Sequence, residues 1–141
     1  MNKLVRVIIP AFNEENGVGE VVKEIRKDIV TEVIVVNNNS NDKTKEVALQ
    51  AGATVLDEKT PGYGRACLKG IDYLKTSTGK TDIVVFLDAD HSDYPEEMAM
   101  LIQPILDNTA DLVIGSRALG NKEKGSMTPQ QIFGNWLATR L

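Results

Sequence analysis

Five short runs of apolar, largely β-branched residues constrain the fold of this chain more than any other feature. The runs lie at residues 4–9, 32–36, 53–56, 82–87 and 111–115. Each has the length of a strand and is bounded by polar or turn-forming residues, as buried β-strands are. A helical pattern follows each run, so strand and helix alternate five times. This alternation predicts a three-layer α/β/α sandwich around an open, mostly parallel sheet.

The helical patterns are apolar residues at a spacing of three or four, with charged residues between them. They cover residues 17–29, 42–51, 93–106 and 129–141, and they leave an irregular loop at 118–127. A further helix, which carries Ala66, Ile71 and Leu74, follows a turn at residues 61–64. Ser40 or Asn41 is suited to cap the second helix, and Gly52 is suited to end it. Asp93 is assigned to cap the fourth helix, whose first turn contains Pro95.

The three most polar loops follow the first, second and fourth strands. They lie at residues 10–16, 37–42 and 88–93. The carboxyl ends of parallel strands meet at one edge of a sheet, and ligands bind there, near the point where the strand order reverses. We therefore expect these three loops to converge on one rim and to form a ligand site.

Two carboxylates, Asp88 and Asp90, follow the most apolar strand directly. Carboxylates this close raise each other's pKa unless a cation lies between them. Mg2+ typically takes one or two carboxylates together with phosphate oxygens, so the pair fits a metal bound to a diphosphate. The alternative is a solvated turn that caps the next helix, because short motifs of this kind recur by chance.

Four other side chains near this rim are candidates for contacts to a ligand. Glu14 fits a contact to a ribose or base, or a favourable charge at a helix N-terminus. Arg65 lies in a glycine-bearing turn that could receive an anion, although the turn matches neither the P-loop nor the dinucleotide pattern. Arg117 is suited to bind a phosphate, or to pair with the aspartates. His91 is either a contact to metal or phosphate, or an ordinary loop residue.

Composition sets the outer limits of function. The chain has 141 residues, 42% of them hydrophobic, which is the size of one domain with a real core. Its net charge of −4 argues against a nucleic-acid surface. Because the chain has a single histidine, a His-based metal cluster is excluded. Because Cys67 is its single cysteine, an internal disulfide is also excluded, and a reducing compartment such as the cytoplasm is favoured. No run approaches the roughly 20 apolar residues that cross a bilayer, so we expect a soluble domain.

Taken in order, five segments resemble those of the family 2 glycosyltransferases, which have the GT-A fold. The segments are VIIPAFNEENGVGEVV, VIVVNNNSNDKT, PGYGRACLKG, VVFLDADHSDYPEEM and DLVIGSR. Together they span nearly the whole chain. The DAD and IGSR forms are most similar to the branch that transfers sugars to polyprenyl phosphates, as dolichol-phosphate mannosyltransferases do.

The resemblance implies a GT-A fold and a role for residues of every loop. Asp88 and Asp90 would hold Mg2+ or Mn2+ on the diphosphate of a sugar nucleotide, with Ala89 in backbone contact. Asp90 and Arg117 would be the catalytic residues, with Arg117 meeting the acceptor phosphate. The remaining substrate-binding positions would be Pro10, Phe12, Glu14, Asn37, Asn38 and Arg65.

The second loop departs from the family pattern. Asn37-Asn38-Asn39 stands in place of Asp-Asp-Gly, and Asn38 falls where the family usually has an Asp that recognises the nucleobase. An amide can donate and accept hydrogen bonds, whereas an ionised carboxylate only accepts. The choice between a UDP-sugar and a GDP-sugar therefore stays open.

The implied activity is the metal-dependent, inverting transfer of a sugar from a UDP- or GDP-sugar to a polyprenyl phosphate at the cytoplasmic face of a membrane. A phosphate acceptor is already anionic, so positioning and electrostatics can suffice without a general base. Transfer to a sugar or protein hydroxyl, and donor binding without catalysis, are the alternatives. Family members usually extend well beyond this length, so we expect residues 1–141 to form a single donor-binding domain without its acceptor-side part.

Overall fold

The computed structural model describes residues 3–77, 79–92 and 94–115, and the backbone of residues 136–140. Its strands are β1 (Val5–Ala11), β2 (Glu32–Asn37), β3 (Thr54–Asp57), β4 (Ile83–Phe86), β5 (Leu112–Gly115) and β6 (Trp136–Arg140). Its α-helices are α1 (Val18–Glu24), α2 (Thr44–Gln50), α3 (Tyr63–Ser77) and α4 (Met98–Leu106), the last preceded by a short 3-10 helix at Pro95–Glu97. The five predicted strands and the first four predicted helices are present, with bounds that differ by a few residues.

The six strands form one sheet in the order β3-β2-β1-β4-β6-β5. Strands β1 to β4 run parallel, and β6 runs antiparallel to both of its neighbours, β4 and β5. The chain proceeds outward from β1 to β3 and then returns to place β4 on the other side of β1. The strand order therefore reverses between β1 and β4, and their carboxyl ends flank the crevice in which α/β proteins bind ligands.

Burial of the strands on both faces explains why their sequences are continuous apolar runs and do not alternate. In β1, Val7 and Ile9 pack with α1, α2 and α4 on one face, and Ile8 packs with α3 on the other. All three side chains are 0% exposed. Burying a side chain of this size contributes roughly 1.5–3 kcal/mol. The central strand is thus held firmly at the base of the predicted rim.

The helix predicted at 129–141 is wrong for its last residues. Trp136–Arg140 instead forms β6, in register with β4 on one side, where Ala138 lies opposite Val85, and with β5 on the other. A helical pattern is a weak local preference, and pairing with two strands that would otherwise have open edges overrides it. The remaining residues of that predicted helix, and the loop predicted at 118–127, lie outside the described residues.

Two predicted helix boundaries also differ. α1 ends at Glu24, because Ile25 is extended with a ψ of 128°, and the chain then turns so that Thr31 N donates to Val5 O at 2.7 Å. α2 begins after Lys43, not after Ser40 or Asn41. The predicted end of α2 is confirmed, since Gly52 has a φ of +99°, the left-handed conformation that glycine adopts without cost.

A polar cluster that the sequence did not suggest lies at the opposite end of the sheet from the predicted rim. Glu32 accepts hydrogen bonds from Tyr73 Oη (2.7 Å), Thr54 Oγ1 (2.8 Å) and Arg6 Nε (3.1 Å). Burial alone would raise the pKa of Glu32, but these bonds outweigh it and hold the pKa below its ordinary value of 4.5. The cluster joins β1, β2, β3 and α3.

Replacing Glu32 with Gln should destabilise the fold at pH 7 by about 1.5–3 kcal/mol, because hydrogen bonds to a charged acceptor are lost. A lowered pKa in the folded state means that the carboxylate stabilises the fold above about pH 4.5, and that this contribution disappears as the pH falls through the lowered pKa. Urea unfolding measures the free energy of unfolding of both proteins. The difference in this free energy between Glu32→Gln and the parent should narrow as the pH is taken from 7 towards 2. The exposed Glu46→Gln, on α2, is the matched control and should stay close to the parent throughout.

Candidate active site

The loops after β1 and β2 are joined by hydrogen bonds between side chains of one loop and backbone N–H groups of the other. These bonds run from Asn13 N to Ser40 Oγ (3.0 Å), from Asn41 N to Asn13 Oδ1 (2.8 Å), from Glu14 N to Thr44 Oγ1 (2.8 Å) and from Lys43 N to Glu15 Oε2 (2.9 Å). Asn13 has a φ of 51°, which asparagine tolerates better than most residues. Ser40 and Asn41, predicted as helix caps, therefore serve to hold the two loops together.

The third loop, after β4, packs directly against the start of α1. A Cβ atom built on Gly17 would lie 2.8 Å from the carbonyl oxygen of Ala89 and 3.1 Å from the carbonyl carbon of Asp90. Ala89 is buried, with 4% of its surface exposed. Only glycine permits this close backbone approach. The predicted convergence of the three polar loops on one rim is therefore confirmed.

Carboxylates from all three loops face this rim. The pKa of Glu14 is raised above its ordinary value of 4.5, first by burial and then by the negative charges of Asp90, Asp42 and Asp88. Asp88 is half-buried and Asp90 is exposed. Asp90 also accepts a hydrogen bond from Ser92 N at 3.0 Å, which fixes the loop but not the start of the following helix. The crowded carboxylates repel one another in this arrangement.

A divalent cation fits this donor set. Hard cations such as Mg2+ bind carboxylate oxygens and draw the rest of their ligands from water and phosphate. Within residues 3–77, 79–92 and 94–115, no group of three or more His, Cys, Asp or Glu side chains is placed to hold a metal ion by itself. Asp88 and Asp90 would therefore supply two ligands, and the oxygens of a bound diphosphate would supply others.

The two asparagines of the second loop contact the protein itself. Asn37 Nδ2 donates to Asp57 Oδ1 at 3.0 Å. Asn38 is 7% exposed, and its side chain bonds the backbone between Glu58 and Gly62. Their predicted contacts to a substrate stay predictions, since each side chain lies at the rim but already has partners in the protein.

The other predicted substrate contacts lie on β1, directly after β1 and at the start of α3. Phe12 is 56% exposed, an aromatic ring open to solvent directly after β1. Pro10 is half-buried within β1, opposite Val36 of β2. Arg65 lies at the start of α3, with its guanidinium 3.6 Å from Glu58 Oε1. Arg117, predicted as catalytic, and Asp93, predicted as a helix cap, lie outside the described residues.

His91 is paired with an acidic residue of α1. Its Nε2 atom lies 2.8 Å from Glu24 Oε2. This contact raises the pKa of His91 above its ordinary value of 6.5. The residue has a φ of 61°, in the left-handed region that few residues other than glycine adopt. Of its two interpretations, the structure describes a loop residue that fastens the third loop to α1.

Comparison with known proteins agrees with this geometry. The model of one family, described as glycosyl transferase family 2, matches residues 6–140. The chain belongs to glycosyl transferase family 2. The resemblance inferred from the five sequence segments is therefore confirmed, and with it the GT-A fold.

Among curated relatives of this glycosyltransferase chain is the UDP-N-acetylglucosamine–dolichyl-phosphate N-acetylglucosaminyltransferase of Methanococcus voltae. The two are 29% identical over an alignment of 152 positions, which covers 95% of this chain and 60% of that enzyme. This chain spans between 32% and 60% of the length of the first three curated relatives it matches. Within the described residues, no helix is long and apolar enough to cross a membrane.

Among solved structures, glucosyl-3-phosphoglycerate synthase of Mycobacterium tuberculosis matches this chain with a TM-score of 0.75 at 26% identity. That match covers 98% of this chain and 57% of the synthase. A second structure of the synthase, in complex with Mn2+, UDP and phosphoglyceric acid, matches with a TM-score of 0.67 at 28% identity, over 78% of this chain and 42% of that one.

Sequence reasoning missed two residues that shape this family 2 site. Thr44 is 0% exposed, and its hydroxyl accepts from Glu14 N and donates to the Asp42 carboxylate. Gly17 lets α1 rest on the third loop. The only signals in the sequence were a threonine near a helix start and a glycine ahead of a helical pattern, and both are common for other reasons.

Proposed function

We propose that this domain binds a nucleoside diphosphate sugar through a divalent cation held by Asp88 and Asp90. The observation that carries the proposal is the convergence of Asp88, Asp90 and Glu14 at the reversal point between β1 and β4, in a chain of a glycosyltransferase family. Carboxylates that repel one another at a ligand crevice gain stability when a cation and a diphosphate bind between them.

The reaction that we infer is the transfer of the sugar to a phosphate acceptor, with release of the nucleoside diphosphate. A bound Mg2+ or Mn2+ would stabilise the charge that develops on the leaving diphosphate. Asp88 and Asp90 would fix the donor in place, and the hydrogen bonds that tie the first two loops together would keep the rim in shape before the donor arrives. Preorganisation of this kind lowers the cost of reaching the transition state.

Support for a UDP-sugar donor comes from the M. tuberculosis synthase, whose structure contains UDP and Mn2+. Support for a polyprenyl phosphate acceptor comes from the M. voltae relative, which is named for dolichyl phosphate. A lipid acceptor would bring the protein to the cytoplasmic face of a membrane, and Arg117 is the residue proposed to meet its phosphate.

A second candidate acceptor is a small phosphorylated acid. The M. tuberculosis synthase binds phosphoglyceric acid in its crystal structure, so the shared fold is compatible with a water-soluble acceptor. The two candidates are separated by an assay with a UDP-sugar in which a short-chain polyprenyl phosphate and phosphoglycerate compete. Product should carry the lipid if the first proposal is right.

A thermal-shift panel tests donor binding directly. UDP, GDP and their glucose or N-acetylglucosamine conjugates should raise the melting temperature in the presence of Mn2+ or Mg2+, and much less in EDTA. A ligand at 100 times its dissociation constant stabilises the native state by about 2.7 kcal/mol, which shifts the midpoint of a domain of this size by several degrees. A flat response to all of these nucleotides would overturn the proposed function.

A further inference from the structure

Helix α1 contacts the third loop at both of its ends. At the start of the helix, Gly17 lies against the backbone of Ala89 and Asp90. A Cβ atom built on Gly17 would come within 2.8 Å of the Ala89 carbonyl oxygen. At the last residue of the helix, Glu24 Oε2 lies 2.8 Å from Nε2 of His91. Asp90 therefore lies between two points at which the loop is fixed to the same helix.

The contact between His91 and Glu24 is a hydrogen bond donated by the imidazole ring. An ionised carboxylate only accepts, so Nε2 of His91 has to carry the hydrogen. The two residues are 67 positions apart in the chain, and they lie in different elements of the fold. This bond therefore fixes the third loop relative to α1, whereas the bond from Ser92 N to Asp90 only shapes the loop itself.

Stability of the fold does not account for a glutamate at this position. The side chains of His91 and Glu24 are 40% and 38% exposed, and ion pairs this accessible to water add little to the free energy of unfolding. Glu24 ends α1, where the negative end of the helix dipole disfavours an acidic side chain. His91 has a left-handed φ of 61°, which is unfavourable for a residue with a side chain. The main consequence of the contact is therefore the position of the loop.

The surroundings of this contact are acidic on both sides. The negative charges of Glu20, which is also on α1, and of Glu96, in the 3-10 helix, act on His91 together with that of Glu24. Carboxylates that face each other without a donor between them repel one another. Loss of the bond between His91 and Glu24 would leave an acidic helix against an acidic loop. The loop, with Asp90, would then move away from α1.

We propose that Glu24 is a positioning residue for the divalent cation, because its bond to His91 holds Asp90 where it can bind the metal. This inference rests on the proposed function, which makes Asp90 a metal ligand. Residues that orient a metal ligand commonly contribute roughly 10–100-fold to metal affinity. Glu24 acts through the neighbour of the ligand and is partly exposed, so we expect a smaller effect of about 3–10-fold.

The test measures UDP affinity by calorimetry with Mn2+ and again in EDTA, and the ratio of the two affinities is the metal-dependent part of binding. Glu24→Ala should lower this ratio by about 3–10-fold. Its affinity in EDTA and its unliganded melting temperature should stay close to those of the parent, which a merely structural role would not give. Glu24→Gln keeps an oxygen that can accept from His91, so it should keep most of the ratio.

Glu20→Ala is the matched control for Glu24→Ala. It removes the same charge from the same helix one turn earlier, where the carboxylate lies 3.9 Å from Lys23. Its ratio should equal that of the parent. If Glu24→Gln loses as much as Glu24→Ala, or if Glu20→Ala loses as much, the hydrogen bond is not the cause and the inference is overturned.

A double-mutant cycle shows whether Glu24 and His91 act as one unit. His91→Asn retains a residue type that tolerates a left-handed φ, but its side chain is too short to reach Glu24. If the bond carries the effect, the double variant should lose no more than either single variant. Additive losses, or a parent-like ratio in Glu24→Ala, would overturn the inference and leave the proposed function standing. Absence of metal-dependent UDP binding in the parent would overturn the proposed function, and the inference with it.

Discussion

Replacing Asp90 with Asn is expected to abolish the metal-dependent part of nucleotide binding. The substitution removes one of the two carboxylates that would hold the cation, and an amide oxygen is a much weaker ligand for a hard divalent ion. Changes in residues that only support a metal ligand cost 10–100-fold in affinity, so loss of a ligand should cost at least about 100-fold. Titration of UDP with Mn2+, and again in EDTA, measures the effect.

The same variant should not lose stability when no ligand is bound. Asp90 is exposed, and its negative charge raises the pKa of Glu14, so its removal relieves repulsion at the rim. The unliganded melting temperature of Asp90→Asn should therefore equal or slightly exceed that of the parent. This combination of unchanged folding and lost binding separates a ligand-binding residue from a structural one.

Asp72→Asn is the matched control for Asp90→Asn. Asp72 is an exposed residue of α3, and its substitution removes the same charge from a helix surface. It should bind UDP with Mn2+ as the parent does. If Asp90→Asn retains the same metal-dependent affinity as Asp72→Asn, the assignment of the cation to Asp88 and Asp90 is wrong.

The sequence predicted the parts of this fold that depend on local pattern. Runs of valine and isoleucine identify buried strands because both faces of the sheet are covered. The convergence of the loops after β1, β2 and β4 followed from the rule that carboxyl ends of parallel strands share an edge. β6 was missed because its residues, Trp136–Arg140, owe their conformation to pairing with β4 and β5, which is a tertiary effect.

Contacts between residues distant in sequence could not be predicted from one chain. By its residue type Asn38 can both donate and accept, and only its partners 20 to 24 positions away show which amide atom faces which backbone group. Glu32 is in a similar position, because Tyr73 lies 41 residues further along the chain. In both cases the residue type leaves several hydrogen-bonding states open, and the surrounding backbone selects one of them.

Replacing Gly17 with Ala should disturb both folding and donor binding. The φ of Gly17 is −117°, which any residue can adopt, so the effect of the substitution is steric. The new Cβ atom would lie 2.8 Å from the Ala89 carbonyl oxygen, and neither backbone can yield without a shift of α1 or of the third loop. Overpacking of this kind costs about 1–3 kcal/mol. Denaturant unfolding measures the loss of stability.

Movement of the third loop should carry Asp90 with it, so Gly17→Ala should also weaken UDP binding in Mn2+, although it removes no polar group. Gly64→Ala is the control for folding, since a Cβ there would meet no described atom within 4 Å and alanine suits a helix better than glycine. Its stability should equal or exceed that of the parent.

Parent-like stability of Gly17→Ala would mean that α1 does not rest on the third loop. Weakened stability with unchanged UDP affinity would mean that the position of Asp90 does not depend on α1, and that the loop takes its shape from β4 alone.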